Sequence, residues 1–80
     1  MLKNLANAYL QLGRINDAIP LYKKVIEDSG DEESSYNLSV CYYMSEDYTG
    51  AKFALRGALS INPNKEEYIE LEMNIQKMLR

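Results

Sequence analysis

The chain has 80 residues, 46% of them hydrophobic and 26% charged, which predicts one small globular domain rather than a disordered segment. Its net charge of -3 argues against the basic surface of nucleic-acid-binding proteins, and no apolar run approaches the roughly 20 residues that cross a membrane. Histidine is absent, so the commonest acid–base group and metal ligand is missing, and catalysis and metal binding are both unexpected.

The first two predicted helices are separated by a glycine. Apolar residues recur at helical rather than alternating spacing over residues 2–12, and Gly13 ends that run. A second helix is predicted to begin near Asn16. It contains Pro20 within about its first turn, where the backbone N–H groups have no intrahelical partner. Because the connection is short, the two segments predict an antiparallel hairpin.

Glycine, proline and polar residues divide the rest of the chain into three more predicted helices. Gly30 is suited to a left-handed helix stop, and a third helix follows over about residues 32–44. The fourth runs over about residues 48–60. Asn64 and Glu67 have the spacing of a capping box, which would open a fifth helix. No segment alternates like a strand, so the prediction is an all-α fold of five antiparallel helices.

The same side-chain types recur at an interval of 33 residues. The segment Leu5-Ala6-Asn7-Ala8-Tyr9 corresponds to Leu38-Ser39-Val40-Cys41-Tyr42, and Ala18 corresponds to Ala51. Such a period is typical of a solenoid, in which one hairpin cannot bury its own apolar face and stacks on its copy. The alanines are expected where helices cross closely, with the large apolar residues beside them as core.

These spacings resemble the tetratricopeptide repeat, whose signature combines a large residue, Leu-Gly, Tyr, Ala, an aromatic and a closing Pro at fixed intervals. The usual Trp is replaced by Leu2 or Ser35, and the first closing Pro by Gly30. The first copy reads Leu2…Leu5-Ala6…Tyr9…Ala18…Tyr22…Gly30, and the second reads Ser35…Leu38-Ser39…Tyr42…Ala51…Leu55…Ala58…Pro63.

The resemblance implies a fragment of a right-handed superhelix that forms a single domain. Repeat one would cover residues 1–31, repeat two residues 32–64, and a capping helix residues 65–80. Two repeats and one helix are fewer than the roughly three units that a solenoid usually needs. The segment is therefore expected to belong to a longer array, unless the amphipathic fifth helix seals the open end.

In the resembled family, the first helix of each repeat lines a concave groove that holds a peptide or a partner helix. The resemblance thus implies a protein-interaction module without enzymatic activity or cofactor. Tyrosine and methionine side chains would anchor the ligand, and asparagine amides would pair with its backbone. The candidate binding residues are Lys3, Asn7, Leu10, Tyr36, Asn37, Val40, Tyr43 and Met44. The alternative is that the fifth helix covers Tyr36 and Tyr43 and makes them core.

One subclass of the resembled family binds the terminal carboxylate of chaperone tails through a five-residue clamp. Lys3, Asn7 and Asn37 match its first three residues in place and type. The last two, a lysine and an arginine on the fifth helix, fall on Glu67 and Leu71. Without those cations most of the charge-assisted hydrogen bonding to a carboxylate is lost, so this ligand is not favoured.

Three other features could carry chemistry, and each has a simpler structural interpretation. Cys41 has no histidine to activate it and is expected to be an interior thiol. The acidic residues 27–33 lack the layout of an EF-hand loop and suit a solvated turn. Glu66, Glu67 and Glu70 lie early in the fifth helix, where acids complement the helix dipole.

Two rival functions remain beside peptide binding. The first is a structural role, in which exposed hairpin ends stack on identical chains. The second, a helical-repeat RNA reader, conflicts with the acidic net charge. The chain also opens without the apolar run of a secretory signal, and its single cysteine cannot form an internal disulfide, so a cytoplasmic location is favoured.

Overall fold

A computed structural model describes all 80 residues and contains five α-helices and no strand. The prediction of an all-α fold with five helices is confirmed. Each helix packs against the next one along the chain, and α1 also touches α3, so the helices form a row of hairpins. The helices are α1 (Leu2–Gln11), α2 (Ile15–Ser29), α3 (Glu32–Met44), α4 (Tyr48–Ile61) and α5 (Glu66–Met78).

Local polar contacts fix the boundary between the two hairpins. Gly30 ends α2 in a left-handed conformation with φ of 65°, as predicted, and its N–H donates to the Ile26 carbonyl at 2.7 Å. Asp31 then caps α3, since its carboxylate accepts from the N–H and the hydroxyl of Ser34 at 2.9 and 2.8 Å. Asp47 caps α4 in the same way through the N–H of Gly50.

Two details of the helix boundaries were predicted wrongly. Pro20 is the sixth residue of α2, beyond the first turn, so its missing N–H removes the bond that the exposed Asn16 carbonyl would accept. The capping box does not form, because Asn64 lies within the turn that Asn62 and Lys65 close by a backbone hydrogen bond. Helix α5 therefore begins at Glu66, with Lys65 at its N-cap and no side-chain cap.

The interior consists of two adjoining clusters. The first lies between α1, α2 and α3, and the second between α4 and α5 with the flank of α3. Tyr42 packs against both clusters and joins them. Alanines belong to both clusters, and Ala6, Ala18, Ala51 and Ala58 are all completely buried, as expected for residues at helix crossings.

Helices α3 and α4 pack closely against each other. The Ser39 hydroxyl is buried and donates to the Ala51 carbonyl at 2.7 Å. A Cβ atom at Gly57 would lie only 2.9 Å from the hydroxyl oxygen of Ser35. Small side chains on both helices are thus required for this packing.

Helix α5 continues the 33-residue period into a third unit. Its buried residues are Tyr68, Leu71 and Ile75. They lie 33 residues after Ser35, Leu38 and Tyr42, and so occupy the same positions of the repeat. The buried face of α5 therefore corresponds to the buried face of α3.

Candidate peptide-binding surface

The predicted binding residues of α1 and α3 meet at a pair of asparagines. The Nδ2 amide of Asn37 donates to Oδ1 of Asn7 at 3.2 Å, and the hydroxyl of Tyr22 donates to the same oxygen. Both asparagines are only partly buried, and no protein group pairs with the amide of Asn7 or the carbonyl of Asn37. The pair therefore keeps donor and acceptor capacity on its exposed side.

Tyr22, which is not among the predicted binding residues, holds this pair through the hydrogen bond from its hydroxyl to Asn7. Its side chain is fully buried on α2, and desolvation raises the pKa of its hydroxyl to about 12. The hydroxyl thus remains a donor at neutral pH and holds Oδ1 of Asn7 in place. The only sequence signal was that Tyr22 occupies the aromatic position of the repeat signature.

Lys3 is the next predicted residue, and its ammonium group is already paired. It lies 2.9 Å from a carboxylate oxygen of Glu33 and 3.1 Å from one of Asp31, and the hydrogen bonds to Glu33 and Asp31 raise the pKa of Lys3. Burial alone would raise the pKa of Asp31, but hydrogen bonds from Ser34 and Lys3 lower it overall. Lys3 therefore ties α1 to the start of α3.

Tyr36 packs against α5. Its ring lies 5.0 Å from that of Tyr68 at an interplanar angle of 32°. Tyr68 is buried, and its hydroxyl donates to Glu32 at 2.7 Å. Desolvation, together with the nearby carboxylates of Glu67 and Glu70, raises the pKa of Tyr36. The edge of the candidate surface at Tyr36 is thus aromatic and is partly covered by α5. The carboxylates of Glu67 and Glu70 make this edge acidic.

The remaining candidates range from core to surface. Leu10 and Val40 are half-buried, and they pack against the first and the second interior cluster respectively. Tyr43 is also half-buried, with its ring edge-on to Tyr48 at 5.4 Å. Met44 is 55% exposed. Tyr43 and Asn37 are therefore only partly exposed, because each contacts a neighbouring helix.

The last two clamp positions do not fall on Glu67 and Leu71. Leu71 belongs to the interior cluster and is 9% exposed, so it cannot meet a ligand. Moving the register by one residue, as the buried face of α5 requires, places Glu66 and Glu70 at the two cationic positions. Two acids there, beside an already paired Lys3, repel a terminal carboxylate.

Cys41 and the acidic stretch of residues 27–33 both have structural roles. Cys41 is completely buried, and desolvation raises the pKa of its thiol to about 11, so it stays protonated at neutral pH. In the acidic stretch, Lys24 pairs with Glu27 and Asp28. The charges of the stretch are thus divided among separate partners, and no group of three or more potential ligands lies close enough to hold a metal ion.

Burial of the Cys41 thiol and the Tyr22 hydroxyl predicts that the free energy of unfolding decreases at alkaline pH. The pKa of Cys41 in the folded chain lies above the ordinary value of 9.0. The buried, protonated thiol therefore contributes to stability fully below pH 9, and this contribution is lost as the pH rises to about 11. Tyr22 adds a loss between about pH 10 and 12. We expect the free energy of unfolding in urea to fall less steeply between pH 9 and 11 in Cys41→Ala than in the wild type. Equal slopes would contradict the assignment to the thiol.

The geometry defines an all-α helical-repeat scaffold with a polar and aromatic surface shared by successive hairpins. The family model described as Tetratricopeptide repeat matches residues 9–72, which is most of the chain. The chain therefore belongs to the tetratricopeptide repeat family, whose repeats are generally non-catalytic modules of protein–protein interaction. A search among curated proteins found no match. None of the five helices is both long and apolar enough to cross a bilayer.

Proposed function

We propose that this chain binds a peptide or helix of a partner protein across the surface formed by α1 and α3. The observation that carries the proposal is the Asn7–Asn37 pair, which is held from below by Tyr22 and keeps one amide and one carbonyl free. A peptide backbone offers the complementary carbonyl and N–H groups. Such a pair can therefore fix the ligand's main chain without reading its sequence.

Side chains around the pair would supply the affinity and the specificity. Met44 and the outer side of Tyr43 offer adaptable apolar contacts. Glu67 and Glu70 lie near Tyr36. The charge of Lys3 is already balanced by the carboxylates of Asp31 and Glu33. The electrostatics at this edge favour a ligand with a neutral or basic residue over one that ends in a free carboxylate.

The proposal can be tested with peptides selected from a random phage-displayed library against the wild-type chain. Tyr43→Ala should weaken their binding by about 2 kcal/mol, roughly 30-fold, because an aromatic anchor is lost. Asn37→Ala should cost about 1 kcal/mol through lost hydrogen bonds to the ligand. Dissociation constants from fluorescence anisotropy, with thermal melts of each variant, measure both effects.

Two matched variants separate binding from folding. Tyr48→Ala removes the same ring contact as Tyr43→Ala, but from the α4 side. Phe53→Ala removes an exposed aromatic residue of α4 and should leave the affinity unchanged. Equal binding by wild type, Tyr43→Ala and Asn37→Ala would reject the surface, as would unfolding of Tyr43→Ala under conditions in which Tyr48→Ala stays folded.

Self-association is the second candidate, and the exposed side of α1 favours it. Leu5 is 45% exposed, whereas the equivalent Leu38 and Leu71 are 7% and 9% exposed. Head-to-tail stacking would, however, place α1 beside α5, and both are first helices of a repeat. The alternation of first and second helices would then be broken. A mass by light scattering that rises with concentration would support self-association, and a constant monomer mass would oppose it.

A further inference from the structure

The turn between α3 and α4 has a glutamate in a backbone conformation that glycine normally adopts. Glu46 is the one residue other than glycine with a positive φ, which is 64°. The equivalent residue 33 positions earlier, in the turn between α1 and α2, is Gly13 with φ of 77°. A side chain is sterically disfavoured in this conformation. Glutamate therefore occupies a position at which the fold would accept glycine without strain.

Two tyrosines lie beside this glutamate. The rings of Tyr43, at the end of α3, and Tyr48, at the start of α4, have centres 5.4 Å apart and an interplanar angle of 68°. The N–H of Glu46 donates to the Tyr43 carbonyl at 3.1 Å. Desolvation, and then the carboxylate of Glu46, raise the pKa of Tyr48, so this carboxylate lies close to the ring. Together these residues form a tyrosine–glutamate cluster. Leu10 and Ile15 are the equivalents of the two tyrosines in the first repeat, so the turn itself needs neither ring.

The chain places cations of its own over other tyrosines, but not over this cluster. The Arg14 guanidinium lies 5.0 Å from the centre of the Tyr9 ring, and the Lys65 ammonium lies 5.2 Å from that of Tyr68. No lysine or arginine has such a contact with either ring of the cluster. Its carboxylate also belongs to none of the ion pairs. Aromatic faces and a carboxylate are thus available to a cation from outside the chain.

The ends of the two helices favour a positive charge at the same place. The C-terminal end of α3 carries partial negative charge, and no basic residue lies in its last turn. The positive N-terminal end of α4 is offset by Asp47, whose carboxylate accepts from the N–H of Gly50 at 3.0 Å. In the first repeat the equivalent of Asp47 is Arg14, which pairs with Asp17 at 2.8 Å. The first turn therefore has its own cation, whereas the second has only acids.

We propose that the tyrosine–glutamate cluster binds the lysine or arginine side chain of a partner peptide. The carboxylate supplies charge attraction, and the rings supply cation–π contacts. The proposal rests on the proposed function only in assigning this side chain to the peptide that the asparagine pair holds. Tyr43 follows Asn37 by six residues of α3. This separation is about 9 Å along the helix axis, which an extended peptide spans in about three residues.

The first test uses a small cation as the probe. N-acetyl-arginine methylamide is titrated into the isotopically labelled chain, and the neutral isostere N-acetyl-citrulline methylamide serves as the reference. We expect concentration-dependent amide shifts by NMR at residues 43–48 with the arginine probe alone. Glu46→Gln should weaken this binding at least three-fold, whereas Glu27→Gln, at an exposed acid of α2, should leave it unchanged. Equal shifts with both probes, no shifts at residues 43–48, or no effect of Glu46→Gln would overturn the proposal.

The second test uses peptides selected from a random phage-displayed library. Against the wild type, lysine or arginine should recur about three residues from the segment whose binding depends on Asn37, and selection against Glu46→Gln should lose this preference. Peptides that depend on Asn37 but show no basic preference would reject the cluster as part of the site and leave the proposed function standing. If the arginine probe binds but no peptide is selected, the assignment to a peptide is wrong.

A glycine variant tests whether the glutamate is needed by the fold. Glu46→Gly should raise Tm by about 4 °C, because it removes the left-handed strain, and should abolish binding of the arginine probe. Gly13→Ala is the reciprocal control, and it should lower Tm, since it introduces the same strain where no neighbouring atom is in the way. If Glu46→Gly were less stable than the wild type, the glutamate would serve the fold, and the argument for a binding role would fail.

Discussion

Replacing Tyr22 with alanine is expected to unfold the chain or bring it close to unfolding. The side chain is completely buried in the first interior cluster, and removing a large ring from such a site costs roughly 3–5 kcal/mol. A domain of this size has a total stability of about 4–12 kcal/mol at ordinary values per residue. Urea unfolding followed by circular dichroism would measure the loss.

Tyr22→Phe is the matched control. It keeps the ring in place and removes only the hydroxyl that donates to Asn7. The oxygen of Asn7 still accepts from Asn37, so the loss should be about 1 kcal/mol. If the alanine variant were no less stable than the phenylalanine variant, the ring would not contribute to the core as described.

Enlarging the alanines at the helix crossings should give the next largest effect. Ala18 and Ala51 are completely buried, so leucine at either position must displace neighbouring helices and should cost about 1–3 kcal/mol. In a domain of 60–100 residues, each kcal/mol lowers Tm by roughly 4–8 °C. Thermal melts of the two variants test this directly.

Ala8→Leu is the control for the crossings, because Ala8 lies on the exposed side of α1. Its melt should differ little from that of the wild type. Unchanged melts for both Ala18→Leu and Ala51→Leu would mean that the close crossings lie elsewhere in the repeat. A large loss for Ala8→Leu would mean that the exposed face of α1 is covered in solution.

The fold could be predicted because the sequence carries the same information at several levels. Helical periodicity, a left-handed glycine at Gly30 and a 33-residue repeat all indicated paired helices. The errors came where a local signal competed with chain geometry. Asn64 has the residue type of an N-cap, but it lies inside the turn that precedes α5. Pro20 is tolerated inside α2, because the carbonyl that it leaves without a partner belongs to the exposed Asn16.

The candidate surface was less predictable, because its polar contacts join helices that are distant in sequence. The tie between Tyr22, Asn7 and Asn37 depends on how three helices are positioned relative to one another, and periodicity gives only the face of each helix. The same holds for the contact between Tyr36 and Tyr68. Whether the eight candidate residues bind a ligand remains a prediction.

The nearest-neighbour order of the helices also has consequences for how the chain folds. Contacts between helices are almost all between consecutive ones, so few loops of long sequence separation must close before packing is gained. Topologies with such local contacts fold within microseconds to milliseconds. Of the five helices, α1 and α5 make the fewest contacts with other helices and should open first, while α3 should exchange its amide hydrogens last. A ligand bound across α1 and α3 would then slow the opening of α1.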